Sequence, residues 1–367
     1  MQALRYIGSV LLLVVLLQSC GNNSSEEQVP DNFDRQAMLT FWADDIIMPG
    51  LENYTSQLDG LVPAKDAFLA EPDNSTLEAL QLAYLDAYRA WQRVSFFDIG
   101  KAEEISLTNF TNIHPVDEQE VMEHMVLSDY DLTLPSTNDA QGFPALDYML
   151  YGMAEELQNS NFELPNGYGQ YLDDVVTRLS SMASEVLIDW EGDYRKTFID
   201  NDGSSATASV DKLINDYLFS YERFLRAGKV GIPAGVFSNA MLPDAVEGLY
   251  SEVYSKELFL EGLSATRDFF VGVSFDGSTS GTSLQDYVTT RSQEIGIENI
   301  ATDILGQFDI IESRANSLDN NFRQQVLADN IQMLETYDEM QKMVVLLKVD
   351  MLQALNVQVD FIDADGD

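Results

Sequence analysis

Apolar residues along this chain recur with the period of a helix and almost nowhere with the period of a strand. Residues 171–190 are the clearest case, with Leu172, Val175, Val176, Leu179, Met182, Ala183, Val186, Leu187 and Trp190 in one stripe. That spacing lines a single face of an α-helix. Similar stripes run through 33–47, 77–97, 210–226, 245–259, 284–295 and 322–355. No window shows sustained two-residue alternation flanked by hairpin turns. The expectation is an all-α fold. At 367 residues and 45% hydrophobic, the chain can build cores for one or two domains.

Pro49, Gly60, Pro63 and Pro72 punctuate the first part of the pattern, and Pro135, Pro165 and Pro243 the rest. The strongest boundary signal is 159–169 (NSNFELPNGYG), where glycines, a proline and asparagines separate two helical patterns. Dividing there gives an N-terminal helical bundle at 33–157 and a C-terminal one at 170–367, packed against each other. Segments 201–205 and 276–282 read as loops within the second bundle.

Residues 1–19 read as a lipoprotein signal peptide: Arg5 supplies the positive start, and 10–17 is an apolar run too short to span a membrane. Leu17-Gln18-Ser19-Cys20 then looks like a lipobox, with Cys20 the acylated residue and 20–32 a polar, flexible tether. Gly21 after the cysteine favours the bacterial outer membrane, the body being lipid-anchored and facing the periplasm or the surface. Cys20 is the single cysteine, so the mature body has no disulfide, thiol nucleophile or cysteine metal site. Against 61 Asp and Glu stand 20 Lys and Arg, for a formal net charge of −41. Such a surface repels nucleic acid and anionic headgroups and favours cations and basic partners.

Segment 141–152 (QGFPALDYMLYG) resembles the signature of the imelysin family, bacterial envelope proteins also catalogued as peptidases. That signature reads Gly-x-His-x-x-Glu, and its His and Glu are the family's proposed metal-binding pair. Here Pro144 takes the His place and Asp147 the Glu place. The resemblance continues in Trp91-Gln92-Arg93 with Phe96 and Phe97, in Ile113-His114-Pro115-Val116-Asp117, and in Lys229-Val230-Gly231-Ile232-Pro233. It extends to the end of the chain, from Leu355-Asn356-Val357 to Asp363-Ala364-Asp365-Gly366-Asp367. It implies a two-domain all-helical fold with the signature helix near the interface between bundles. It also implies an iron-regulated envelope setting, with peptidase activity for some members.

Proline has no side-chain donor or acceptor, so Pro144 can neither bind a metal nor move a proton. It does suit the first turn of a helix, where its missing N–H is not needed. Asp147 is then either a site carboxylate or a group that caps a helix or sits polar in the core. A zinc peptidase needs about three protein ligands and a water, and this chain holds two histidines with no His-Glu-x-x-His. Glu120, Glu123 and His124 would share one helical face, and with Asp147 they are the candidate metal ligands. An exposed acidic helix carrying one histidine has the same pattern. His114 either lines the cleft in the place of the family's tryptophan or simply packs. Arg93, beside Trp91, is placed either to hold Asp147 across the interface or to form a structural ion pair. Lys229 is the other cation within a family-like segment. No nucleophile elbow, phosphate loop or dinucleotide fingerprint is present. The Asp363–Asp367 run imitates only the front of a calcium loop.

These residues point to an outer-membrane lipoprotein that binds a ligand without being a peptidase. Pro144, Asp147, Arg93, Trp91, His114 and Lys229 form its candidate cleft, and iron, haem, another divalent metal or a small molecule is the expected ligand. The alternatives are a metal-dependent peptidase of the imelysin type, and a module whose acidic surface recruits a basic partner.

Overall fold

The structure is a computed structural model and describes residues 31–361. The signal peptide, Cys20, nearly all of the tether and the acidic run at 363–367 lie outside the described residues. From Phe33 onward the described residues form one compact unit. It is all-α: among the described residues there is no β-strand, only an isolated antiparallel bridge between Val273 and Ser280.

The principal helices are α1 (Met48–Ala70), α2 (Asn74–Val94), α3 (Glu118–Leu127), α4 (Gly142–Asp147) and α5 (Tyr168–Asp189). They continue with α6 (Ser209–Ser220), α7 (Ser255–Val271), α8 (Leu284–Ile295), α9 (Ile300–Ser317) and α10 (Phe322–Val344). π-helical segments run on from several of them, at Tyr148–Gly152, Tyr221–Gly231 and Val345–Met351. α1 packs on both α2 and α5, and α2 packs on α7 through its other side. α10 is held between α9 and the π-helical segment Tyr221–Gly231.

The stripe that predicts α5 is the face it buries, from Leu172 through Val186 to Trp190. α2 opens on a capping box, in which the Thr76 N–H donates to Asp73 and the Thr76 hydroxyl accepts from the Asp73 N–H. The loops expected at 201–205 and 276–282 are non-helical. Among the described residues no helix is long and apolar enough to cross a membrane.

Three sequence expectations need correction. Pro63 does not break the first helix. α1 carries it in its interior, because Leu51, Tyr54, Leu58, Leu61 and Phe68 bury one continuous face on both sides of it, which outweighs a lost backbone bond. The stripe at 245–259 is helical only from Ser255 in a regular way; before that the chain turns through Gly248 at φ +67° and short 3₁₀ pieces. Finally, α9 is a helix that none of the apolar stripes covers, although it buries Ile300, Ile304, Phe308 and Ile311.

The acidic composition reaches the interior beside α6. Asp98, Glu103, Asp216 and Asp360 converge there, with Lys212 the opposing cation, 3.3 Å from Glu103. Asn215 ties the end of the described chain to this spot, donating to the Gln358 carbonyl and accepting from the Asp360 N–H. Burial, then the neighbouring Asp98, Glu103 and Asp360, push Asp216 from 3.8 up to about 8. A carboxyl whose folded pKa is raised prefers the protonated folded state, so its cost to stability sets in as pH climbs from about 4 to about 8. Asp216→Asn should therefore raise the melting temperature near pH 8 and leave it almost unchanged near pH 4. Thermal scans across that range would show the opposite trend if Asp216 were ionised and stabilising.

Candidate functional site

The centre of the molecule holds an ion pair that sequence alone did not complete. Lys229 belongs to the π-helical segment Tyr221–Gly231, and its ammonium contacts Oε2 of Glu247. Both side chains are buried, at 6% and 2% exposure. The other donors around Glu247 come from α2 and from the segment before α3. Gln92 on α2 donates to Oε1 at 3.1 Å, and Asn112 donates to the same oxygen at 2.7 Å. The Tyr88 hydroxyl lies 3.0 Å from it, and Lys229 also donates to the Gln92 side-chain oxygen Oε1 at 2.7 Å. Burial alone would raise the Glu247 carboxyl, but the Lys229 ammonium beside it, together with the Asn112 amide, holds it down at about 2. Glu247 is thus an ionised carboxylate with its acceptor positions engaged.

His114 stands next to this pair. Its Nδ1 lies 3.2 Å from the Ala245 carbonyl oxygen, which can only accept, so Nδ1 carries the proton. Burial lowers its pKa, which favours the neutral ring. The peptide bond to Pro115 is cis. His114 borders two small cavities. One, of about 30 Å³, is lined by Trp91, Ser95, Thr108, Lys229 and Glu247 among others; the other, of about 10 Å³, lies against Pro144, Asp147 and Tyr250.

The signature segment forms α4, and every residue of it is buried. Gly142 sits at φ +70°, and a Cβ there would collide with the Thr111 carbonyl, so glycine is required. Pro144 occupies the first turn, as its chemistry predicts. Phe143 stacks on Tyr88 at 4.4 Å and 6°, which fixes α4 against α2. At the far end, Asp147 accepts from the Tyr250 N–H at 2.9 Å and the Ser251 N–H at 3.0 Å, one to each oxygen. These are the backbone amides that leave the 245–259 stripe non-helical at its start. Burial raises the Asp147 carboxyl to about 6 against the pull of those hydrogen bonds.

The structure thus brings together Pro144, Asp147 and His114 at one cavity, and His114, Trp91 and Lys229 at the other. Arg93 is not among them. It points toward α7, 3.6 Å from Glu261 and 3.7 Å from Asp268, with its guanidinium over the Phe275 ring. It is a structural ion pair, and the contact to Asp147 is not formed.

The proposed metal set does not assemble as a set. Glu120 and His124 do share a face of α3, with 3.4 Å between Glu120 Oε1 and His124 Nε2. His124 is also held by the Tyr171 hydroxyl at 3.1 Å, and Glu123 bonds to Gln119 in the open. Asp147 is engaged elsewhere. The acidic group that does gather, with ligand atoms within 4.8 Å of one another, is Asp117, Glu120 and Asp139.

Glu247, Asn112 and Tyr88 carried no motif. Glu247 is one of 61 acidic residues, and the available signal was indirect: a lysine in a core-like segment of so acidic a chain needs an acid partner.

A family model described as Imelysin matches residues 47–351, and the chain belongs to the imelysin family. Two solved structures share its fold. The imelysin-like protein from Psychrobacter arcticum 273-4 is 18% identical with a TM-score of 0.68, covering 89% of this chain and 97% of that one. A candidate iron-regulated protein A precursor from Parabacteroides distasonis ATCC 8503 is 18% identical with a TM-score of 0.70, covering 86% and 95%. No curated protein matches.

Removing one member of the buried pair should expose its energetic role. Lys229→Met leaves the Glu247 carboxylate buried without its counter-ion and should cost about 3–5 kcal/mol in urea unfolding. Adding Glu247→Gln should recover a large part of that loss. A single variant as stable as the parent would mean that the pair is not ionised.

Proposed function

We propose that this imelysin-family chain is a non-catalytic binding protein of the bacterial envelope, working in an iron-linked setting. One observation carries the proposal: the two positions of the family's metal-binding signature are both committed to structure. Pro144 offers no ligand atom and sits in the first turn of α4, while each oxygen of Asp147 accepts a backbone N–H from the turn before α7. A catalytic zinc needs about three protein ligands and an open position; position 144 supplies no imidazole, the Asp147 carboxylate is engaged, and His114 is the one imidazole at this cavity.

The iron-linked setting rests on the family resemblance and on the description of one structural relative as iron-regulated. Anchoring at Cys20 on the outer membrane rests on the sequence 17–20. The cavities beside His114 and Lys229 have room on the scale of a water molecule or a single ion, which favours a small polar ligand over haem. A groove of about 610 Å³ along α7 is large enough for haem, but its lining has no His, Met, Cys or Tyr to ligate haem iron.

A metal-dependent peptidase remains the alternative because Asp117, Glu120 and Asp139 gather at the start of α3 with His124 behind Glu120. The two are separated by metal content and peptide hydrolysis of the mature, tag-free protein after incubation with iron and with zinc. Asp147→Asn and Glu120→Gln are measured alongside. The expected result is no hydrolysis and no stoichiometric metal that depends on Asp147. Metal lost in Asp147→Asn would overturn the proposal, and hydrolysis lost with metal in Glu120→Gln would establish the peptidase.

A further inference from the structure

Away from the buried pair, one face of the molecule leaves large apolar side chains in water. The loop after the π-helical segment exposes Phe237, Met241 and Leu242, and α10 exposes Leu327, Ile331 and Leu334, from 36% at Leu334 to 68% at Ile331. The two groups form one surface because the loop is fastened along α10. Asn330 donates to the Ala234 carbonyl at 2.9 Å, Phe237 meets the Tyr337 ring edge-on at 5.9 Å, and Arg323 pairs with Asp244 at 2.7 Å. Ile331 and Leu334, three residues apart, are neighbours on the helix that follows a kink at Asp329, and Leu327 is exposed just before that kink. Scattered single leucines need no explanation, but a clustered patch of this kind marks a contact surface.

The charge around the patch selects its occupant. Asp244, Asp329, Glu335 and Asp338 lie on the same two elements, and the nearby arginines Arg323 and Arg314 are engaged with Asp244 and Glu335. The whole chain carries −41. A second copy would bring the same carboxylates against these, and an anionic lipid surface would be repelled. An apolar stripe flanked by lysines or arginines satisfies both the patch and its rim. We infer that the face formed by loop 237–242 and α10 is a docking surface for a basic amphipathic helix of a partner protein. It is separate from the cavities beside His114, so this surface and the proposed function can fail independently.

The test uses the full mature protein and a synthetic helical peptide with leucine on one face and lysine on its flanks. A scrambled peptide of the same composition, lacking the apolar face, is the control. The ordered peptide should bind about tenfold more tightly than the scrambled one. Ile331→Ser combined with Phe237→Ser should remove that advantage, whereas Ile188→Ser, equally exposed on α5 but outside the patch, should not. These side chains are at the surface, and unchanged melting of each variant checks that the fold is kept. Equal binding of both peptides, or an unaffected double variant, would overturn the inference. So would a concentration-dependent dimer, or uptake on zwitterionic vesicles, abolished by the double variant, since either assigns the face to another occupant.

Discussion

A single buried charge pair, Lys229 with Glu247, joins the π-helical segment Tyr221–Gly231 to the turn that leads into α7. Taking both charges out of water is costly, and the cost is offset only if each remaining lone pair and proton is matched. Gln92 from α2, Asn112 from the segment before α3 and Tyr88 from one turn earlier on α2 complete that shell. Two further stretches, α2 and the segment before α3, therefore have to be in register with the pair before it is stable. The π-helical stretch Tyr221–Gly231 contributes the lysine, and π-type turns shift the angular position of the side chains that follow them.

Asp147 belongs to the same logic. In the family's signature its position is a proposed ligand; here the carboxylate holds down the turn that delivers Glu247 and leads into α7. Gly142 lets α4 approach the Thr111 carbonyl, Phe143 stacks on Tyr88, and Asp147 grips the amides of Tyr250 and Ser251. A short buried helix thus links the floor of the site to its wall. What reads in the sequence as half of a metal centre is, in the folded chain, a backbone clamp.

Much of this was legible beforehand. Helical period gave the fold class, because the stripe of α5 is the face it buries, and Pro144 sits in the first turn as proline stereochemistry requires. The family was recognisable from short segments in the right order. Other features were hidden because tertiary contacts decide them. The 245–259 stripe has helical spacing, yet Asp147 withdraws two of its amides, and a remote carboxylate leaves no trace in local pattern. Pro63 looked like a break because the flanking apolar face, which keeps α1 continuous, was not weighed against it. For Arg93 the sequence left two readings open, a hold on Asp147 or a structural ion pair, and the carboxylates of α7 decide for the second.

The clamp at Asp147 also bears on how such a chain could change over generations. Writing histidine back at position 144 would restore one ligand and nothing more. The carboxylate three residues later is a methylene shorter than the signature's glutamate and is already tethered by two amides. Lengthening it would push against the turn that carries Glu247, so the second substitution disturbs the buried pair. The clamp and the family's metal pair therefore make opposing demands on position 147.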